Sequence, residues 1–137
     1  MTKSTSPAPA ARTLVAQFEV TGWEPNVYDE PGEGPALARV VVRKTFRGVV
    51  DGTSVAEVLT AAGPAGRGYV ACERFVGAVE GRTGTLVFQH CGLDDGDAPY
   101  AFGHIVPGSG TGQLAGLCGT VAFVHDASGA HVTLVLS

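Results

Sequence analysis

The chain has 137 residues, of which 45% are hydrophobic, and thirteen acidic against nine basic residues give it a formal net charge of −4. A chain of this length and composition forms a single domain that buries roughly two-thirds of the surface of its unfolded state, which excludes a disordered protein. The acidic balance argues against nucleic-acid binding, and no apolar run approaches the ~20 residues that span a bilayer.

The N-terminal segment, residues 1–12, is rich in Ser, Thr, Pro and Ala and lacks the apolar core of a secretory signal. We therefore expect a flexible tail at residues 1–12, a single domain at residues 13–137, and a cytoplasmic protein that does not enter membranes.

Twenty glycines and eight prolines separate short stretches of period-two alternation, which predicts an all-β domain. The predicted strands are 13–21, 36–46, 52–62, 69–80, 83–92, 101–106, 120–125 and 131–136. Segment 52–62 also fits a short helix, because Ala and Glu favour helices. Residues 23–35, with Trp23 and Tyr28 among turn formers, are predicted to form a loop. Eight strands at hairpin spacing predict a closed antiparallel barrel or a sandwich.

The stretch from Tyr69 to Gly92 predicts a hairpin with Gly81-Arg82 as its two-residue turn. In that register Glu73 faces His90, and Phe75 faces Phe88. The aromatic neighbours predict that this face is the interior one. A carboxylate beside an imidazole in an apolar interior needs hydrogen bonds.

Glu73 and His90 are therefore the predicted catalytic residues, as a general acid/base pair. The alternative is a buried pair, completed by Lys44 or Arg82, that only fixes the strand register. Lys44 is predicted to lie on the inward face of its strand, where it either snorkels to solvent or acts as an amine nucleophile.

The same register places Cys72 opposite Cys91, close enough in principle for a disulfide under oxidation. Three cysteines without metal-type spacing, the third being Cys118, favour reduced thiols. The other histidines, His104, His125 and His131, match no metal-binding spacing, so neither a metal nor a cofactor is expected.

The Gly-rich segment 107–119 contains a G-x-G-x-x-A match, but it lies late in an all-β pattern without a strand-helix unit. Sharp turns and close backbone packing at a barrel rim explain its glycines better than nucleotide binding. Ser109 lacks the strand-to-helix turn of a nucleophile elbow.

Several motifs carry a family resemblance: Phe18-x-Val20-x-x-Trp23, Lys44-x-Phe46-x-Gly48, Leu86-x-Phe88-Gln89-His90-x-Gly92 and Val106-Pro107-Gly108-Ser109-Gly110-Thr111-Gly112. They resemble the bacterial family called domain of unknown function 3224, and residues 108–116 are similar to a Gly-rich segment of allene oxide cyclases and dirigent proteins. The resemblance implies a calycin-like eight-stranded antiparallel barrel and a dimer or trimer. Relatives of that fold carry a lipophilic ligand or steer a reactive polyene, epoxide or radical to one cyclised product.

We therefore expect a cofactor-independent cyclase or isomerase that acts on a small hydrophobic molecule inside the barrel. The alternatives are a carrier or sensor of such a ligand, and a barrel with a filled interior. The residues predicted to line the ligand site, apart from the catalytic pair, are Trp23, Tyr28, Lys44, Tyr69, Phe75, Phe88, Tyr100, Phe102 and His104.

Overall fold

The computed structural model describes residues 11–97 and 99–137 and shows eight antiparallel strands in a ring, which confirms the predicted all-β barrel. The strands are β1 Arg12–Asp29, β2 Ala36–Arg47, β3 Val50–Gly63, β4 Gly66–Val79, β5 Arg82–Asp94, β6 Tyr100–Ile105, β7 Gly119–Asp126 and β8 Gly129–Leu136. Each strand pairs with the next, and β8 pairs with β1 to close the ring. Residues 1–10 of the predicted tail lie outside the described residues, and Arg12 already belongs to β1. Within the described ranges, no helix has the length and apolar character needed to cross a membrane.

The predicted loop over residues 23–35 is wrong for its first half, because β1 continues to Asp29. Trp23 pairs with Val42 and Pro25 pairs with Val40, after a register shift between Val20 and Gly22. This part of β1 pairs with β2 alone, since β8 pairs only with residues 12–17 of β1. An edge position tolerates proline, whose missing N–H costs no ladder hydrogen bond there.

The turn of the β4–β5 hairpin is Glu80-Gly81, not Gly81-Arg82, and both turn residues have positive φ, 53° and 78°. Positive φ at both central positions is the geometry that suits the twist of a two-residue hairpin. Glu73 therefore pairs with Phe88, and His90 pairs with Ala71, two residues away from the predicted register. A shift of two residues keeps every side chain on its predicted face.

The barrel interior has two halves. The half that contains the β2–β3, β4–β5 and β6–β7 connections, here called the closed half, is filled by one apolar cluster. Phe75, Leu86, Phe88 and Leu134 are completely buried in it. The opposite half, here called the open half, has apolar walls formed by Val40, Val42, Ala56, Val58 and Ala71. The predicted inward position of Lys44 on β2 is confirmed, and β3 is a strand and not the alternative helix.

The Gly-rich segment after β6 seals the closed half. Only residues 88–93 of β5 pair with β6. The preceding residues of β5, from Thr85 to Val87, form backbone hydrogen bonds with residues 106–111 instead. Thr85 accepts a hydrogen bond from the backbone N–H of Thr111 at 3.0 Å, and Leu114 is completely buried. A Cβ at Gly84 would collide with the carbonyl oxygen of Thr111, so glycine is required for this close approach. Within the segment itself, a Cβ at Gly110 would collide with the carbonyl oxygen of Leu114, which confirms the close packing predicted there.

Candidate functional site

The open half of the barrel holds a cavity of about 840 Å³. Valine and alanine side chains of β2 and β3 line its walls, and Trp23 and Tyr100 lie at its rim, 61% and 57% exposed. Lys44, Tyr69, His90 and Phe123 line it as well. A largely apolar cavity with a few polar groups is the usual form of a small-molecule site, and this volume lies within the usual range of about 300–1,000 Å³.

A buried carboxylate organises the polar groups between the two halves. Glu73 is completely buried, and its Oε1 accepts hydrogen bonds from Lys44 Nζ at 2.9 Å and from His90 Nε2 at 2.8 Å. Its Oε2 accepts a hydrogen bond from Ser54 Oγ at 2.5 Å. Three donors on one carboxylate supply the compensation that burial of its charge requires.

Lys44 does not snorkel to solvent, because the residue is only 7% exposed. Besides its bond to Glu73, the ammonium nitrogen lies 3.7 Å from the ring centroid of Phe123 and 5.2 Å from that of Phe18. An ammonium group over the face of an aromatic ring is attracted by the negative charge of that face. The cation is therefore held between a carboxylate and two rings.

His90 joins Glu73 to a tyrosine that lines the cavity. The Tyr69 hydroxyl lies 3.0 Å from His90 Nδ1. When the Tyr69 hydroxyl donates to Nδ1, a neutral His90 carries its proton on Nε2 and donates it to Glu73. This arrangement also balances charge, since Lys44 already neutralises Glu73. Phe123 packs beside the imidazole with a centroid separation of 4.5 Å.

The surroundings of these groups shift their proton affinities. Burial alone would raise the pKa of Glu73, but the hydrogen bonds from His90 and Ser54 and the charge of Lys44 outweigh it, so this pKa is lowered. Burial lowers the pKa of Lys44, and Glu73 offsets this only in part. Burial, with the charges of Cys91 and Glu73, raises the pKa of Tyr69 to about 12. Tyr69 is thus a protonated donor at neutral pH.

The structure brings together some of the predicted site residues and separates others. Glu73 and His90 are in contact as diagonal neighbours, although they do not face each other directly. Glu73 lies beneath the cavity and does not line it, so it would act on a ligand only through its partners. Trp23, Lys44, Tyr69 and Tyr100 line the cavity as predicted.

Five predicted ligand-binding residues lie elsewhere. Phe75 and Phe88 belong to the closed half, and Tyr28 is exposed and does not line the cavity. Phe102 and His104 line a groove of about 730 Å³ on the outer face of the barrel. Gly103 and Ile105 are the buried residues of β6, so the residues that alternate with them point outward.

Two residues of the site were missed by the sequence analysis. Ser54 and Phe123 are neither charged nor part of a motif, and each stands out only by its place in the alternation. Ser54 lies two residues before Ala56 on the inward face of β3, where a hydroxyl among alanines and valines is a signal of a buried polar partner. Phe123 follows Val121 on the inward face of β7.

The predicted opposition of Cys72 and Cys91 is wrong, because Cys72 pairs with Gln89 and Cys91 pairs with Val70. Both are free thiols, and so is Cys118. Among residues 11–97 and 99–137, no group of three or more His, Cys, Asp or Glu side chains is arranged to hold a metal ion.

Fold and site together define a β-barrel that is filled at one end, hollow at the other, and crossed by a buried network of Lys44, Glu73, His90 and Tyr69. The chain belongs to the family described as "Protein of unknown function (DUF3224)", which matches residues 14–135 and confirms the resemblance of the motifs to that family. It is similar to the crystal structure of a DUF3224-family protein of unknown function from Shewanella oneidensis MR-1. The two share 32% identity over 93% of this chain and 96% of that chain, with a TM-score of 0.84. No curated protein matches the chain.

Proposed function

We propose that the chain is a cofactor-independent isomerase or cyclase that moves a proton on a small, mainly apolar molecule held in the open half of the barrel. The proposal depends mainly on one observation: hydrogen bonds connect Tyr69 to His90 and His90 to Glu73, and Tyr69, at the end of this series, lines the cavity. A hydroxyl, an imidazole and a carboxylate in this order are the components with which enzymes transfer protons at neutral pH.

In this proposal Tyr69 is the group that contacts the substrate. Its phenol oxygen takes a proton from a substrate carbon while its own proton passes to Nδ1 of His90, so His90 becomes an imidazolium. The proton then returns from Nδ1 to the phenol oxygen as Tyr69 gives a proton to another atom of the same substrate, such as a carbonyl or epoxide oxygen or a second carbon. Glu73 holds the imidazole in the required tautomer and stabilises the imidazolium that forms, as a carboxylate does in a catalytic triad.

The apolar walls would supply the rest of the catalysis. An isomerisation moves a proton between two atoms of one substrate, and a cyclisation also requires the substrate to fold on itself. Valine and alanine side chains around the cavity favour a compact conformation of an apolar substrate, and such preorganisation contributes much of the rate enhancement of reactions of this kind. The three free thiols support a cytoplasmic location, which we propose as well.

Solvent deuterium exchange tests the proposal. A panel of medium-chain unsaturated ketones, aldehydes and allylic epoxides is incubated with the protein in D₂O, and deuterium at substrate carbon is measured by mass spectrometry. We expect exchange with at least one class, and a fall of roughly 10²–10⁴-fold in Tyr69→Phe and His90→Gln. Tyr100→Phe is the matched control, because it removes a tyrosine hydroxyl at the cavity rim that is not part of the network. Equal exchange in all four proteins would rule out the proton-transfer roles.

A non-catalytic binding protein for a small hydrophobic ligand is the second candidate. One observation favours it: every buried side-chain nitrogen and oxygen atom in the described residues already has a hydrogen-bond partner within the protein. Such a network stabilises the barrel interior between the closed and open halves and need not take part in any reaction. Saturable binding of panel members with no deuterium exchange in the wild type would favour this candidate over the enzyme.

A further inference from the structure

Lys44 is the one lysine of residues 11–97 and 99–137, and the only other lysine in the sequence is Lys3. All other basic residues in the described ranges are arginines, and they form the exposed ion pairs, such as Arg39 with Glu57 and Arg12 with Glu80. A guanidinium stays protonated and matches a carboxylate with two parallel hydrogen bonds, so it suits a purely structural pair. A buried lysine can instead lose its proton and become a nucleophile.

The position of Lys44 fits the second role. Its side chain lines the open-half cavity, and its ammonium nitrogen is held from below by Glu73 and from the side by the ring of Phe123. Burial lowers the pKa of Lys44, which increases the fraction of free amine at neutral pH. The amine is thus placed at the floor of an apolar cavity, with a proton acceptor 2.9 Å away.

We propose that Lys44 is a carbonyl-binding amine, which condenses with an apolar aldehyde in the open-half cavity to form a protonated imine paired with Glu73. The inference goes beyond the proposed function, because the proton transfer through Tyr69 and His90 forms no bond to Lys44. It adds a covalent mode of binding for one class of ligand.

The condensation balances in atoms and charge. Lys44 gives one proton to Glu73, and its nitrogen lone pair forms a bond to the carbonyl carbon. The carbonyl oxygen takes a second proton from that nitrogen, which gives a neutral carbinolamine. Glu73 then returns its proton to the hydroxyl group, the C–O bond breaks, and water leaves. An ammonium has become an iminium of the same charge, nothing is oxidised or reduced, and the carboxylate of Glu73 is again its counter-ion.

Reductive trapping tests the inference. The full chain is incubated at pH 7 with decanal and cyanoborohydride, which converts an imine to a stable secondary amine, and the sites are located by peptide mass mapping. The chain offers three amines, namely Lys44, Lys3 and the N-terminus. We expect at least about tenfold more label on Lys44 than on Lys3, because burial of only a few methylene groups of the aldehyde gives enrichment of that order. Lys44→Arg should lose this label, and Lys3→Arg should keep it.

A second variant and a second state keep the result interpretable if Lys44→Arg does not fold. Ala56→Phe places a ring in the cavity wall and should reduce labelling of Lys44 but not of Lys3. In the wild type, unfolding in urea should remove the preference for Lys44. Equal labelling of Lys3 and Lys44 in the folded protein, or a preference that persists in urea, would overturn the inference. Either result leaves the deuterium-exchange test of Tyr69 and His90 unaffected, so the two proposals fail independently.

Discussion

Replacing Glu73 by glutamine removes the one charge that compensates Lys44. The carboxylate is completely buried and accepts hydrogen bonds from Lys44, His90 and Ser54, so in the variant Lys44 either stays charged without its counter-ion or gives up its proton in order to remain buried. Breaking a buried pair in this way costs about 3–5 kcal/mol. For 137 residues, the unfolding entropy is about 0.3 kcal/mol per kelvin, so Glu73→Gln should lower Tm by about 10–17 °C.

The pH dependence of the lost stability tests whether the missing counter-ion of Lys44 is the cause. Without Glu73 the folded variant should hold Lys44 neutral, whereas the unfolded chain holds it protonated up to its ordinary pKa. The unfolded state then binds one more proton than the folded state, so the stability of Glu73→Gln should rise by about 1.4 kcal/mol per pH unit between pH 7 and 9.

Thermal unfolding followed by circular dichroism at pH 7, 8 and 9 measures both effects. Glu57→Gln is the matched control, because it makes the same change in an ion pair with Arg39 on the exterior and should leave Tm nearly unchanged. Glu73→Gln combined with Lys44→Met should recover most of the stability, since it removes the uncompensated cation while the amide still offers hydrogen-bond partners to His90 and Ser54. A loss of less than about 2 °C in Glu73→Gln, or a loss independent of pH, would refute the reasoning.

Three further predictions concern the rest of the fold. Gly84→Ala should destabilise the protein by about 1–3 kcal/mol in urea unfolding, because its Cβ meets the Thr111 carbonyl oxygen, and an unchanged midpoint would contradict the close approach. Leu114→Ala should cost about 2–5 kcal/mol in the same assay, and a smaller loss would mean that the Gly-rich segment does not seal the closed half. The wild type should lose stability as the pH falls below about 4.5, because the folded-state pKa of Glu73 is lowered, so its contribution is complete above the unfolded-state pKa and is lost progressively as the pH falls toward the folded-state pKa. The acid slope of Glu73→Gln should be shallower, and equal slopes would show that other carboxylates dominate.

The inward and outward faces of the strands were predictable because alternation has a period of two. That is why Glu73 and His90 were found together although the predicted register was wrong. A turn displaced by one residue changes every pairing by two, which leaves the faces intact. The turn itself was missed because Glu80 adopts a positive φ, a conformation that residues other than glycine adopt at a cost.

Other features depend on tertiary context. Trp23 and Pro25 suggest a loop by composition, but pairing with β2 extends the strand through them. Phe102 and His104 were assigned to the ligand site on residue type alone, whereas the alternation of β6 points them to the exterior. The boundary between the filled and hollow halves depends on where the Gly-rich segment folds back, and no local pattern specifies that contact.

The protonation state of His90 tests the central claim most directly. The proposed proton path requires a neutral resting imidazole that accepts a hydrogen bond from the Tyr69 hydroxyl at Nδ1 and donates one from Nε2–H to Glu73. Nitrogen NMR of the ¹⁵N-labelled protein at pH 7 distinguishes the two tautomers and the imidazolium. We expect the Nε2–H tautomer in the wild type. An imidazolium, or a neutral ring protonated on Nδ1, would contradict the proposed proton path.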